Sequence, residues 1–546
     1  MSLLSLLALP NTARSKDRHG AVARPGLSAA ALGLAALGLA VTPAAAQSFA
    51  ADTGSAAPVL RDVSGMIMLD YSTLTLSNGG AFDLFGVHYM QRANDWLYYG
   101  VGAFAPVAEG NYGGFFGADA TIHAQRSLGG NWFANAGLSV GAAAGGDSVV
   151  GIQNLSGDGL YGRAYVGIGY TQGNLSFGVN YSRIVIAGSA INDSAFTFFV
   201  QRPFSFAVGS YGDAGSVLSA ASFDAPEHEN IVSLQFNNFS QINPQGSFTG
   251  DIGVASTQFT HFHTPSVYSF FAVDIGVTGL HWYNQAHGGV GARVALSPNV
   301  NLYGQVGLGS SGWVTDTVDT GPGFIIYPKA MLEYLWGNGV GATLTAGYLY
   351  APLGTSRNWT VGLGLNYHLS YSAQQTRGAA SGLDYSLRGV RLNVFGRTTS
   401  SITYNGRESE GISMIAVQAD YALNEHWYVA AQIAAAATAF RGYAGYAEGF
   451  VGAGWMSNAY ANGRLQGYAQ LMYGLNDVGV DPAHEVGALL YPAVGVSYHL
   501  NDRLSLYGQL GAAVSLGQYV GSHTNRFENY SVGLGVTYRF SLPTRS

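Results

Sequence analysis

The sequence predicts an all-β protein: an antiparallel up-and-down transmembrane β-barrel of about 24 strands, built from three eight-strand repeats. Three observations carry that expectation. The first is alternation near the end of the chain. In NYSVGLGVTYRF (529–540), Tyr530, Val532, Leu534, Val536, Tyr538 and Phe540 share one side, opposite Asn529, Ser531, Gly533, Gly535, Thr537 and Arg539. Residues two apart lie on one face of a strand, so this segment has one apolar and one polar face. Such a strand is long enough to cross a bilayer at a tilt, which takes roughly 9–11 residues. The second observation is repetition: NWTVGLGLNYHL (358–369) has the same pattern far inside the chain. The third is composition. Only 10% of the 546 residues are charged, while Gly, Tyr and Phe number 77, 34 and 27. Soluble domains carry roughly 25% charge; a surface that faces lipid needs much less.

Taken in order, residues 1–46 read as a secretory signal peptide. Arg14, Lys16, Arg18 and Arg24 form a basic front, LSAAALGLAALGLAV (27–41) an apolar core, and Ala44-Ala45-Ala46 an A-x-A cleavage site before Gln47. Without these residues the net charge moves from −7 to −10. An acidic product gives no reason to propose nucleic-acid binding. There is no cysteine, so neither disulfides nor thiol chemistry enter. Beyond the leader no run of 18 apolar residues occurs. Membrane crossing therefore falls to strands, and only a closed barrel leaves no strand edge in lipid.

A short N-terminal segment (47–63) precedes repeat 1 (64–206). A linker (207–227), repeat 2 (228–369), a second linker (370–385), repeat 3 (386–540) and a tail (541–546) follow. Each repeat is expected to hold eight strands. Local matches align them: Tyr161-Gly162, Tyr327-Pro328 and Tyr491-Pro492 fall in strand six, and NDWLYYGVGA (94–103) matches NEHWYVAAQI (424–433) in strand three. Turns after even strands are short, as in TQGN, WGNG and NDR, whereas GGDSVVGIQNLSGDG (145–159) and GQYVGSHTNRFE (517–528) follow odd ones. Short periplasmic turns and longer outer loops are the asymmetry of bacterial outer-membrane barrels.

With leader, strands, turns and the terminal G-L-G-V-T-Y-R-F on the page, the chain resembles a bacterial outer-membrane β-barrel. The resemblance covers about residues 60–540 and points to no particular subfamily. It implies residence in outer-membrane lipid after cleavage near Ala46, and insertion by barrel-assembly machinery. Gly533, Gly535, Tyr538 and Phe540 would carry the assembly signal, although SLPTRS follows Phe540 where the family usually ends on its aromatic.

Closure has two solutions. Ser/Gly/Ala-rich linkers, and a signal-like strand ending each unit, favour three separate eight-stranded barrels. The small inward residues of repeat 3, among them Ser505, Gly511, Ala513, Gly533 and Gly535, favour one ring of 24. A barrel of eight must fill its interior with side chains, and these residues fill little. The single wide ring is the expectation taken forward.

That expectation sets the function: an outer-membrane channel, either a passive porin or an export exit for a neutral or weakly charged solute or polymer such as polysaccharide. Asn358, Thr360, Asn366, His368, Tyr507, Gln509, Ser531, Thr537 and Arg539 would line it. Lys329 is the one lysine after the leader, which argues for a neutral cargo. The short stretch before the first strand leaves no room for a plug domain, so an export partner would be a separate periplasmic chain. The alternatives are a structural or adhesive envelope barrel and a lipid-modifying enzyme with a Ser-His pair at the membrane rim. No enzyme, cofactor or metal site is expected. His261 and His263 share a face, but a closed site needs about four ligands. Gly146-Asp147-Ser148 lies in an outer loop rather than between strand and helix. His368 and His499 point inward without a serine pattern that singles itself out.

Overall fold

The computed structural model describes residues 60–545 apart from short loop and linker stretches, the longest being 220–228, 369–383, 438–445 and 521–527. The leader, the Gly146-Asp147-Ser148 motif and most of the second linker lie outside the described residues.

Most of the described residues form three antiparallel rings of eight strands. Barrel 1 comprises β1 (Arg61–Thr75), β2 (Ala81–Arg92), β3 (Leu97–Ala105), β4 (Phe116–Gly129), β5 (Trp132–Ala144), β6 (Leu160–Gln172), β7 (Leu175–Ile186) and β8 (Asn192–Val208). Barrel 2 comprises β9 (Asn230–Gln241), β10 (Ile252–Phe262), β11 (Val267–Thr278), β12 (Asn284–Ser297), β13 (Val300–Gly312), β14 (Phe324–Leu335), β15 (Val340–Tyr350) and β16 (Arg357–His368). Barrel 3 comprises β17 (Asp384–Thr399), β18 (Ser413–Ala422), β19 (Trp427–Ala436), β20 (Tyr446–Met456), β21 (Leu465–Val480), β22 (Ala483–His499), β23 (Leu504–Val520) and β24 (Asn529–Arg545).

Each eighth strand returns to the first strand of its own unit. The registers run Arg61↔Val208 to Ser72↔Thr197, Ile231↔His368 to Gln241↔Asn358, and Tyr385↔Arg545 to Thr399↔Ser531. This corrects the expectation of a single ring of 24 and matches the alternative of three barrels.

The reason lies in how the interiors are filled. Glycines on one strand face aromatic rings from the next. A Cβ at Gly454 would collide with Tyr428, at Gly495 with Tyr468, at Gly511 with Tyr491, at Gly291 with Tyr268 and at Gly137 with Tyr165. The small inward residues are therefore seats for rings, a cross-strand pairing that rescues glycine in sheets. Tyr507 comes from the same strand as Ser505, Gly511 and Ala513, whose small size suggested a wide lumen, and it is buried, as is Tyr491 on the strand before it.

The other face of each strand is bare and apolar. In β16, Trp359, Val361, Leu363 and Leu365 are exposed while Asn358, Thr360 and Asn366 are buried. Five of the eight tryptophans, Trp96, Trp132, Trp336, Trp427 and Trp455, sit exposed at or beside the turns after even strands. An aromatic girdle of this kind marks a membrane–water boundary. Asn residues shape three of these turns. Asn94 Oδ1 accepts from the backbone N–H groups of Trp96 and Leu97, Asn424 Oδ1 from those of His426 and Trp427, and Asn501 Oδ1 from those of Arg503 and Leu504. Such Asx turns reverse the chain in few residues.

The rings also touch one another. Phe540 joins Val63 and Val208 in an apolar patch that includes Tyr538 and Leu542, and Gln91 Nε2 donates to Tyr538 Oη at 2.9 Å. Barrel 1 meets barrel 2 where Gly113 N donates to Gly321 O at 2.9 Å and Ser310 Oγ to Pro106 O at 2.7 Å. Tyr367 and Tyr421 meet between barrels 2 and 3.

Candidate functional site: three polar lumens

The residues expected to line a pore do point inward, but they divide between two rings and are packed. Asn358, Thr360, Asn366 and His368 belong to barrel 2; Tyr507, Gln509, Ser531, Thr537 and Arg539 belong to barrel 3; all are buried. Asn358 Nδ2 donates to Ser356 Oγ, and Thr360 Oγ1 accepts from Tyr327 Oη. Thr537 Oγ1 donates to Asn393 Oδ1 at 2.6 Å, Gln509 Nε2 donates to Tyr491 Oη at 2.7 Å, and Tyr491 Oη lies 2.8 Å from Ser531 Oγ.

Of the residues assigned to the assembly signal, Gly533 and Gly535 face Phe395 inside barrel 3. Tyr538 and Phe540 face barrel 1 instead of lipid. The tail does not hang free: residues 541–545 continue β24 and pair with β17.

Each lumen holds buried charge that alternation along single strands did not reveal. In barrel 1, Arg163 Nη1 lies 2.5 Å from Asp70 Oδ2, and His88 stands between Asp70 and Asp119 at 3.3 and 3.6 Å. In barrel 2, Lys329 Nζ donates to Gln235 Oε1 at 3.1 Å. Near the turns after its even strands, His368 bridges Glu229 and Glu333, and Arg293 Nη1 lies 2.6 Å from Glu229 Oε2. Tyr303 Oη, Asn301 Nδ2 and Asn366 Nδ2 all donate to Glu333. In barrel 3, Arg397 pairs with Glu448, and Arg391 Nη2 lies 2.9 Å from Asp420 Oδ2. Asp70 and Arg163, and likewise Arg397 and Glu448, lie on strands that do not pair, so ring closure brings them together, whereas Arg391 and Asp420 are register partners on the neighbouring strands β17 and β18.

A clamp recurs in two rings. Gln258 and Gln305 exchange amide bonds across barrel 2, with Tyr268 Oη donating to Gln305 Oε1 at 3.1 Å. Gln418 and Gln470 do the same in barrel 3, with Tyr428 Oη donating to Gln470 Oε1 at 3.0 Å. Each set comes from strands two, three and five of its ring.

The remaining chemistry is quiet. His261 Nδ1 lies 2.8 Å from Asn230 Oδ1, and His263 Nε2 lies 2.9 Å from Ser269 Oγ. A Ser-His pair missed in the sequence does exist. His499 Nδ1 lies 2.9 Å from Ser505 Oγ, across the Asn501 turn, and both residues are buried within barrel 3. A spacing of six around a tight hairpin was the available signal. Among the described residues, no group of three or more His, Cys, Asp or Glu side chains is arranged to hold a metal ion.

Apolar outer faces, polar buried interiors, short turns at one end and a tryptophan girdle beside them are now all in view. The architecture is that of a membrane-spanning β-barrel, in triplicate. No protein-family model matches the chain, and no curated protein matches it. Among solved structures, the ferripyoverdine receptor of the outer membrane of Pseudomonas aeruginosa aligns at 10% identity, over 89% of this chain and 72% of that one, with a TM-score of 0.27. The copper transporter OprC aligns at 10% identity over 89% and 82%, with a TM-score of 0.27. An anion-selective porin from Comamonas acidovorans aligns at 10% identity over 88% and 100%, with a TM-score of 0.19. Likeness at this level bears on neither closure nor ligand, so the functional reading rests on the lumens.

Proposed function

We propose that the protein is an outer-membrane conduit with three narrow polar lumens, each closed by its own side chains, that passes small ions or small polar solutes. The observation that carries this reading is the buried charge. Ionisable groups at membrane depth are costly, and where they persist they mark ion or substrate pathways. Arg163–Asp70, Lys329 with Gln235, Arg391–Asp420 and Arg397–Glu448 supply at least one such cation to every ring. Passage would require these partners to exchange bonds with each other or with water. A bulky neutral polymer suited the wide ring; packed lumens suit much smaller cargo. On this reading the leader is removed near Ala46, outer-membrane lipid surrounds the apolar faces, and barrel-assembly machinery inserts the chain. No chemical step is assigned to the His499–Ser505 pair.

A second reading is favoured by the interlock of glycines with aromatic rings. Lumens filled so closely suit a scaffold that anchors or displays envelope components without conducting. Single-channel recording on the mature chain in planar bilayers separates the two. Small steps, enlarged when Arg397 is replaced by Ala, support the conduit. Silence from folded protein in both forms supports the scaffold, and one large step would overturn both.

A further inference from the structure

The linker after barrel 1 does not simply lead to barrel 2. Its described part crosses to barrel 3 and is fastened there at several points. Gly209 and Ser541 exchange backbone hydrogen bonds at 2.9 and 3.1 Å. Ser210 Oγ donates to Asp502 Oδ1 at 2.6 Å and accepts from Gly212 N, which caps a single 3₁₀ turn at Tyr211–Asp213. Gly215 N donates to Leu387 O, and Leu387 N donates back to Ser216 O. Residues 217–219 then pair with 386–384 as a short ninth strand beside β17.

Between these fastenings, Tyr211 enters the ring. Its ring lies 5.2 Å from the guanidinium of Arg539, and its hydroxyl lies 3.9 Å from Met456 Sδ. A Cβ on Gly389 would press on the same ring and on Ala422. Gly389, Ala422, Met456 and Arg539 all belong to the inward faces of their strands, at the ends nearest the short turns. Tyr211 therefore occupies the mouth of barrel 3, and Gly389 leaves room for it.

We propose that residues 209–219 are an intramolecular strap that closes the short-turn end of barrel 3, with Tyr211 as the inserted group. Barrel 3 then opens at that end only when the strap lifts. As a gate on conduction the strap rests on the conduit reading above; as a cover over the mouth it does not. Among the described residues, this is the ring that a segment from elsewhere in the chain would gate. The fastenings are few, mostly backbone bonds near the surface, which is the kind of contact that opens locally without global unfolding.

The chain has no cysteine, so introduced thiols report cleanly. Ala422→Cys places one beside Tyr211. In folded full-length protein, a small methanethiosulfonate reagent should modify that thiol about tenfold faster in a Tyr211→Ala background than in wild type. Tyr211→Phe, which keeps the ring, should stay slow. Gly209 and Ser541 form a hydrogen-bonded antiparallel pair, whose Cα spacing suits a disulfide. Gly209→Cys with Ser541→Cys, oxidised, should therefore slow labelling at position 422 below wild type, and selective reduction before labelling should restore it. Equal rates in wild type, Tyr211→Ala and the cross-linked form would overturn the strap. Conductance is read separately. Faster labelling with no current in any form keeps the strap and sinks the conduit. Current with unchanged labelling sinks the strap and keeps the conduit.

Discussion

Gln418 and Gln470 face each other across barrel 3 and bond amide to amide in both directions, at 3.0 and 3.2 Å. They lie on strands that do not pair, so the contact spans the lumen and ties the two walls. Gln418→Leu leaves the Gln470 amide short of a partner in a buried site. The expected loss is about 1–3 kcal/mol. Adding Gln470→Leu should cost less than the sum of the two single changes, because the shared contact is already gone. Denaturant unfolding from lipid vesicles measures both.

Arg397 and Glu448 are both almost wholly buried in the same ring. Removing one partner strands the other charge, so Arg397→Ala should destabilise by about 3–5 kcal/mol. Replacing both by leucine should recover much of that loss, since no buried charge remains. If the single and double variants unfold alike, the two groups do not act as a pair.

Leu363 sits midway along β16 and is 67% exposed. If that face meets hydrocarbon, Leu363→Arg should reduce folding stability in vesicles by roughly 2–4 kcal/mol. The same change should be nearly neutral at an exposed position in a soluble loop. A neutral result at Leu363 would mean that water covers this face.

Asp213 lies in the strap, outside the spanning strands. Burial first, and then the Asp502 carboxylate, raise its pKa above the usual carboxylate range. A raised folded-state pKa means that the docked strap binds a proton more tightly than the free one. Docking should therefore strengthen as the pH falls through that raised pKa, and weaken above it. Labelling of Ala422→Cys measures this against an Asp213→Asn background at each pH, which cancels the thiol's own titration. The ratio of rates should vary with pH; a flat ratio rejects the effect.

Much of the fold was legible because alternation is local. NWTVGLGLNYHL and NYSVGLGVTYRF marked β16 and β24, and the short turns at WGNG and NDR marked which end was which. The charge pairs were not legible. Asp70 and Arg163, or Arg397 and Glu448, carry no mark of partnership until strands close around them. Phe540 was read as part of a terminal signal, yet its neighbours Val63 and Val208 lie more than three hundred residues away.

The sequence by itself determined strand number, the two faces of each strand and which end of each ring carries the short turns. Side-chain period and turn length depend on nearby residues alone. Tertiary structure decided closure, because period-two alternation reads the same in a ring of eight and a ring of 24. The deciding contacts are between each first strand and its own eighth, and between inward glycines and the rings that fill their space. Those are pairings across the barrel wall, and a pattern read along one strand does not contain them.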